Sequence, residues 1–367
     1  MIEVAAIAFL VSFLATVAIL KLAPRLLAKE FLERDLQARQ AVHTRPAPRI
    51  GGLALAVSAV CTLALVLVLG PALDPTVAAV LGSAVPVFLA GLREDICRDM
   101  SPRARYGAAI LSGFLAFGLL GVWIDRAAPD WFSALLAFAP FGVAVTVFTT
   151  ASYAHAFNLV DGLNGLCAGM SVLIAAGLAA IAVRAGLPYL VPALLALVAT
   201  LAGFLVWNYP MGRIFLGDAG AYTLGHVLSW CGVILIARAD EVSAWAIMLV
   251  FFWPLADTLL AMVRRVQGGV PIDTPDRMHF HQLMMRFLVL AAMGRDRRSA
   301  ANPVASLLVL GFIAVTVALG VIFWNDDRGA ALSLGLCGVA FVALHGTLRR
   351  LARRWRRRPL GGARRPA

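Results

Sequence analysis

The sequence predicts an all-α polytopic membrane protein of about eleven transmembrane helices, and three observations carry that prediction. Of its 367 residues, 61% are hydrophobic and 14% are charged, against roughly 45–50% and about 25% in a soluble domain. The mean hydropathy is +0.86, and a soluble fold of this size could not hide that much apolar surface from water. The basic residues gather in alternate loops between apolar runs, which is how membrane proteins set their orientation.

A spanning helix needs about 20 apolar residues. In chain order the qualifying segments are 2–24, 51–70, 76–92, 105–124, 134–154, 163–183, 187–207, 219–237, 243–263, 302–324 and 329–348. The first follows Glu3 without a basic flank or a small-residue cleavage site, so it reads as a retained helix and not as a signal peptide. The segment 134–154 is interrupted by Pro140.

Lys21, Arg25 and Lys29 open the basic stretch after the first segment, and Arg93, Arg98, Arg103 and Arg105 follow the third. The loop 264–301 holds seven arginines, and the tail from Arg349 is an arginine run. The intervening loops are short and acidic or nearly neutral. Eleven spans place every basic stretch on one side, so the amino terminus is expected outside and the carboxyl terminus in the cytoplasm. One transmembrane domain over 1–348 is expected, followed by a basic, disordered tail over 349–367.

The formal net charge of +12 is thereby topological. It suits anionic membrane lipids or a phosphorylated substrate, and no nucleic acid is expected. The five cysteines show no CxxC or disulfide spacing.

The same topology sorts the polar residues. Glu94 and Asp95 follow the third segment, Asn158 and Asp161 the fifth, Asn208 and Asp218 the seventh, and His279 and His281 the ninth. Each of those segments runs outside to inside, so all these groups are expected at the cytoplasmic boundary. In NLVDGLNGL (158–166), Asn158, Asp161 and Asn164 would share one face of a helix, although Asp-Gly and Asn-Gly also signal turns. In FLGDAGAY, Asp218 between two glycines could cap the next helix or serve a hard-metal site. The two-residue spacing of His279 and His281 does not suit a zinc pair, and contact with phosphate beside Arg277 fits better. Asp257, midway along the ninth segment, is the one acid placed as in a secondary transporter, the runner-up class.

The stretches HTRPAPRIGG (43–52), GLREDICRDMSPRAR (91–105), NLVDGLNGLCAG (158–169), WNYPMGRIFLGDAGAYTLG (207–225), WPLADTLLAMVRR (253–265) and PDRMHFHQLMMR (275–286) resemble the polyprenyl-phosphate N-acetylhexosamine-1-phosphate transferases. The resemblance covers about residues 1–348 and leans to the O-antigen-initiating branch, with the peptidoglycan-type phospho-N-acetylmuramoyl-pentapeptide transfer as the alternative. It implies attack of undecaprenyl phosphate on a UDP-sugar, release of UMP, and a multi-pass protein of the bacterial inner membrane with a cytoplasmic active site; a homodimer is compatible with it.

It further implies Mg²⁺, with Mn²⁺ able to substitute, held by Asp218 and Asp161. The catalytic set would be Glu94, Asp95, Asp161, Asp218, His279 and His281, and the substrate contacts Asn158, Asn208, Arg277 and Arg105. Two departures stand out. The paired aspartates of the family are Glu94-Asp95 here, and the histidine motif is HFHQ. The Glu-Asp pair looks like that of a subgroup making lipopolysaccharide or capsule precursors, for which N-acetylglucosamine or a 6-deoxy N-acetylhexosamine is the expected sugar.

Overall fold

Every one of the eleven apolar segments is helical in the computed structural model, with 76–92, 134–154 and 243–263 each divided between two helices; the structure describes residues 2–26, 47–69, 74–269, 271, 278–294 and 297–356. The helices are α1 (Ile2–Leu26), α2 (Gly52–Leu69), α3 (Pro75–Ser83), α4 (Val85–Cys97), α5 (Pro102–Leu120), α6 (Asp130–Ala137), α7 (Ala139–Val160), α8 (Leu166–Arg184), α9 (Val191–Asn208), α10 (Gly217–Arg238), α11 (Ala244–Val250), α12 (Phe252–Gln267), α13 (Phe280–Phe287), α14 (Arg298–Ile322) and α15 (Asp327–Arg356). No strand occurs among the described residues.

Among the described residues, eight spans are long and apolar enough to cross a membrane, or nine when α11 and α12, bent by 81°, count as one broken span. The protein is therefore a polytopic membrane protein. The eleven expected crossings are not all matched by this measure, because α2 and α5 fall short of it. Four prolines punctuate the chain where it is cheapest. Pro75, Pro86, Pro102 and Pro140 lie in the first turns of α3, α4, α5 and α7, where a missing N–H breaks no helical bond. The segment 134–154 is broken at Phe138, between α6 and α7, with Pro140 in the first turn of the second helix. At the other end, α15 continues through Arg356, past the boundary at 348 expected for the tail; 357–367 lie outside the described residues.

The middle of the bundle is α10. In its apolar stretch 89% of residues are buried, against 17% for α1 and for α15, which places α10 at the centre and those two at the lipid-facing rim. Around it pack α2, α4, α7 and α8. In lipid, close backbone contact between small residues holds helices together. Gly91 of α4 shows this, since a Cβ there would lie 2.5 Å from the Ala219 nitrogen. That contact brings the carboxyl end of α4 onto the first turn of α10.

Candidate active site

The first turn of α10 is where the expected residues meet. Its own preceding residue, Leu216, has no side-chain cap to offer, so its orphan N–H groups are met from other elements. Asp95, at the end of α4, accepts from the backbone N–H of Asp218 at 2.8 Å and of Ala219 at 2.9 Å, one with each oxygen. Asp161, in the turn after α7, accepts from Gly217 N–H at 3.2 Å. Two carboxylates thus sit on the positive end of the central helix. Gly217, at φ 71°, makes the entry possible, and a Cβ on it would strike the Arg49 carbonyl. The same entry is laced to residues 48–52 by Phe215 N–H to Pro48 O at 3.0 Å and Gly51 N–H to Phe215 O at 2.9 Å.

Asp218 does not cap its own helix, contrary to one expectation. Asp95 and Asp161 already fill that role, and Asp218 turns instead to an ion pair with Arg105 Nη1 from the first turn of α5. Glu94 lies 3.8 Å from the same Nη1, and its other oxygen accepts from Met100 N–H at 2.9 Å. Asp95 has both oxygens committed to backbone. Asp161 and Asp218 each keep one oxygen with no hydrogen-bond partner among the described residues. Burial pushes the Asp161 carboxyl up to about 6, with the Arg49 charge opposing the shift.

The spacing of three in 158–164 does not act through a helix face. The helix α7 stops at Val160, and 161–165 form a turn that ends with Gly165 at φ 75°. The turn is tied down at several points. Asn164 N–H donates to Asn302 Oδ1 at 2.8 Å and the Asn164 amide to Pro210 O at 2.7 Å. Gly165 N–H donates to Asn208 Oδ1 at 2.8 Å, and Asn208 Nδ2 donates to Ile214 O at 2.6 Å. Asn208 is buried with its Oδ1 and one amide hydrogen on backbone groups, and it clamps this turn to the loop before α10. Asn158 donates to Tyr222 Oη at 3.0 Å and leaves its Oδ1 unpartnered.

The histidines form a second group that touches the first. His279 precedes α13, and its Nδ1 lies 3.0 Å from Asp257 Oδ2. The other oxygen of Asp257 accepts from Phe280 N–H at 2.9 Å. An aspartate from α12 therefore caps α13, as Asp95 caps α10. This removes the observation that favoured a transporter, because Asp257 is held in a local cap. It is also the residue whose partnership sequence reading missed; a lone acid in an apolar run was the signal. The rings of His279 and His281 stack at 5.8 Å, since His279 sits before the helix and His281 within it. His281 is buried with neither ring nitrogen hydrogen-bonded, and burial lowers it to about 4, so the ring is neutral at pH 7. A Cβ on Gly162 would lie 2.9 Å from His281 Nε2, so the ring abuts the Asp161 turn. Arg277 lies outside the described residues.

The donors at the start of α10 are all oxygens, which suits Mg²⁺. Among the described residues no three His, Cys, Asp or Glu side chains enclose a point where an ion could sit. The oxygens left over on Asp161 and Asp218 fit an ion that takes one or two carboxylates and completes its shell with substrate phosphate.

The Glycosyl transferase family 4 model matches residues 77–236, from α3 to the end of α10. A Bacillus subtilis protein named as a probable undecaprenyl-phosphate N-acetylglucosaminyl 1-phosphate transferase is 27% identical over 77% of this chain and 77% of its own length. The decaprenyl-phosphate N-acetylglucosaminephosphotransferase of Mycobacterium tuberculosis is 28% identical over 92% of this chain and 86% of its own. The undecaprenyl-phosphate alpha-N-acetylglucosaminyl 1-phosphate transferase of Escherichia coli K12 is 29% identical over 55% and 56%. The matched region contains Glu94, Asp95, Arg105, Asn158, Asp161, Asn208 and Asp218 and ends before the histidines, and the chain is similar to these polyprenyl-phosphate N-acetylglucosamine-1-phosphate transferases.

Proposed function

We propose that this protein transfers an N-acetylhexosamine 1-phosphate from a UDP-sugar to undecaprenyl phosphate, leaving a lipid diphosphate sugar that initiates an O-antigen or capsule-type polysaccharide. The observation that carries the reading is the meeting of Asp161, Asp218, Glu94 and Arg105 at the start of α10, on a helix end that Asp95 fixes from α4. The relatives' names supply the lipid phosphate and the N-acetylglucosamine phosphate.

In the reaction an oxygen of the lipid phosphate attacks the β-phosphorus of the nucleotide sugar. The bond from that phosphorus to the bridging oxygen breaks, and its electron pair leaves with UMP. Such a transfer asks the protein for positioning and charge neutralisation more than for covalent chemistry. Asp161 and Asp218 would hold Mg²⁺, or Mn²⁺ in its place. When bound, the ion neutralises charge on the phosphate oxygens. Arg105, already between Glu94 and Asp218, presents a guanidinium to a phosphate arriving there. Asp95 holds the helix end and acts through Asp218 as a positioning residue. Neutral His281, against the Asp161 turn, donates from one ring nitrogen, and His279 is oriented by Asp257; Arg277 adds a cation to the same phosphates. Asn158 offers its open Oδ1 to the substrate.

The site faces the cytoplasm of a bacterial inner membrane, because a UDP-sugar is soluble and the basic loops flank this end of the bundle. In this reading α2 and α5 complete eleven crossings, with the amino terminus outside. The test is a panel of UDP-sugars given to purified protein with undecaprenyl phosphate, with UMP as the readout. Release is expected with UDP-N-acetylglucosamine or a 6-deoxy N-acetylhexosamine, and only with a divalent ion. No release with any N-acetylhexosamine would overturn the reading.

A further inference from the structure

The family model ends at residue 236, yet the histidine group is gripped by helices that lie beyond it. The grip has two parts. Phe280, the residue between the two histidines, is fully buried among aromatic rings from three helices. Its ring centroid is 4.9 Å from Trp253 of α12, 5.2 Å from Phe341 of α15 and 6.2 Å from Phe312 of α14. Rings at such separations attract beyond their area burial.

The second part is polar. Met278, immediately before the motif, offers its carbonyl to His345 Nε2 of α15 at 3.0 Å. A carbonyl can only accept, so His345 Nε2 carries the hydrogen, and the Arg264 guanidinium 3.2 Å away lies beside this bond and does not donate into it. His345 is 4% exposed, and its ring centroid is 6.5 Å from both Phe280 and Phe341. The chain is thereby pinned on both sides of His279: Met278 by α15 and Phe280 N–H by Asp257 of α12.

We propose that His345 is a positioning residue for the transfer: through the Met278 carbonyl it sets the entry into α13 that turns His279 and His281 toward Asp257 and the Asp161 turn. The helix α15, which stands at the lipid-facing rim along most of its length, thus turns Phe341 and His345 inward, where they reach the reacting groups through the backbone. A displacement of about 1 Å at positioned groups costs on the order of 10²-fold in rate, so a single backbone hydrogen bond at this place is enough to matter.

This rests on the transfer reaction proposed above, and the experiment separates the two. Wild type, His345→Phe and His345→Gln are compared in UMP release and in hydrogen exchange of 278–287. Phenylalanine keeps the ring packing and loses the donor. Glutamine restores an N–H of similar reach. The expected result is a fall in kcat of about tenfold for His345→Phe with the KM for the UDP-sugar changed less than about twofold, recovery to within about threefold in His345→Gln, and faster exchange at 278–287 in the phenylalanine variant alone. Full kcat in His345→Phe, or an equal loss in both variants, overturns the positioning role. A wild type with no release fails the reaction and not the clamp, which unchanged exchange at 278–287 in His345→Phe would then overturn by itself.

Discussion

The two ends of α10 are built from the same kind of helix and differ in almost everything else. At its start, Asp95 and Asp161 from α4 and the post-α7 turn are buried on its N–H groups, and Asp218 pairs with Arg105. At its finish, Arg238 reaches Thr76 Oγ1 at 2.8 Å and Tyr189 Oη at 3.0 Å, and Arg126 reaches the Ala239 carbonyl at 2.5 Å. Each end matches its charges to the helix dipole, acids at the start and arginines at the finish. The extra charges at the finish, Asp125 and Asp240 beside Arg126, have exposed side chains, whereas those at the start, Asp218, Glu94 and Arg105, are mostly buried. Helix chemistry accounts for Asp95 and Arg238, and it leaves Asp218, Glu94 and Arg105 unexplained. That surplus is the mark of a site.

The comparison can be broken most directly by removing the surplus. Asp218→Asn and Asp161→Asn are each expected to lower transfer by about 10³-fold or more while the protein still inserts and elutes as wild type, read by UMP release beside size-exclusion chromatography. Wild-type turnover in either variant would remove the site from this end.

A smaller effect is expected from the cap. Asp95→Ala leaves two buried N–H groups without acceptors and should lower stability by about 2 kcal/mol. Activity should fall with it, because Asp218 rides on the same turn. Thermal unfolding in detergent reads the first and UMP release the second; an unchanged midpoint would contradict the capping role.

The pH dependence bears on the histidine group. His281 is held near 4 in the fold by burial, below its ordinary 6.5. The unfolded chain therefore takes up a proton first as pH falls, and the stability from keeping this ring neutral is present above about 6.5 and lost toward about 4. The loss is at most about 3 kcal/mol. Thermal midpoints measured with chelator present should drop across that window in wild type and drop less in His281→Gln. Parallel curves would show that the ring does not titrate as described.

The smallest effect belongs to the finish of α10. Arg238→Ala should cost under about 1 kcal/mol and leave turnover within about twofold, since the Arg238 side chain is exposed and far from the start of the helix. A large loss of transfer would show that the two ends are coupled.

The sequence made much of this legible, for reasons tied to particular residues. Apolar length located the helices, and the basic loops sorted Glu94, Asp161, Asp218 and the histidines to one end, where the structure gathers the described ones. The details that escaped depend on contacts between distant segments. The Asn158–Asp161–Asn164 spacing looked helical, yet the side chains of Asn208 and Asn302 hold 161–165 as a turn. Asp95 and Asp257 each cap a helix whose first turn lies more than 20 residues away in the chain. A cap supplied from elsewhere in the chain leaves no local pattern. The break between α11 and α12 does have a local signal, Pro254 in the first turn of α12, which a reading by apolar length passes over.

One measurement reaches the centre of the account: UMP release from UDP-N-acetylhexosamine and undecaprenyl phosphate by wild type and Asp218→Asn, each titrated with Mg²⁺. The account predicts ion-dependent release by wild type that Asp218→Asn does not recover at any ion concentration. Equal release by both proteins, or release by wild type that persists in chelator, would contradict it.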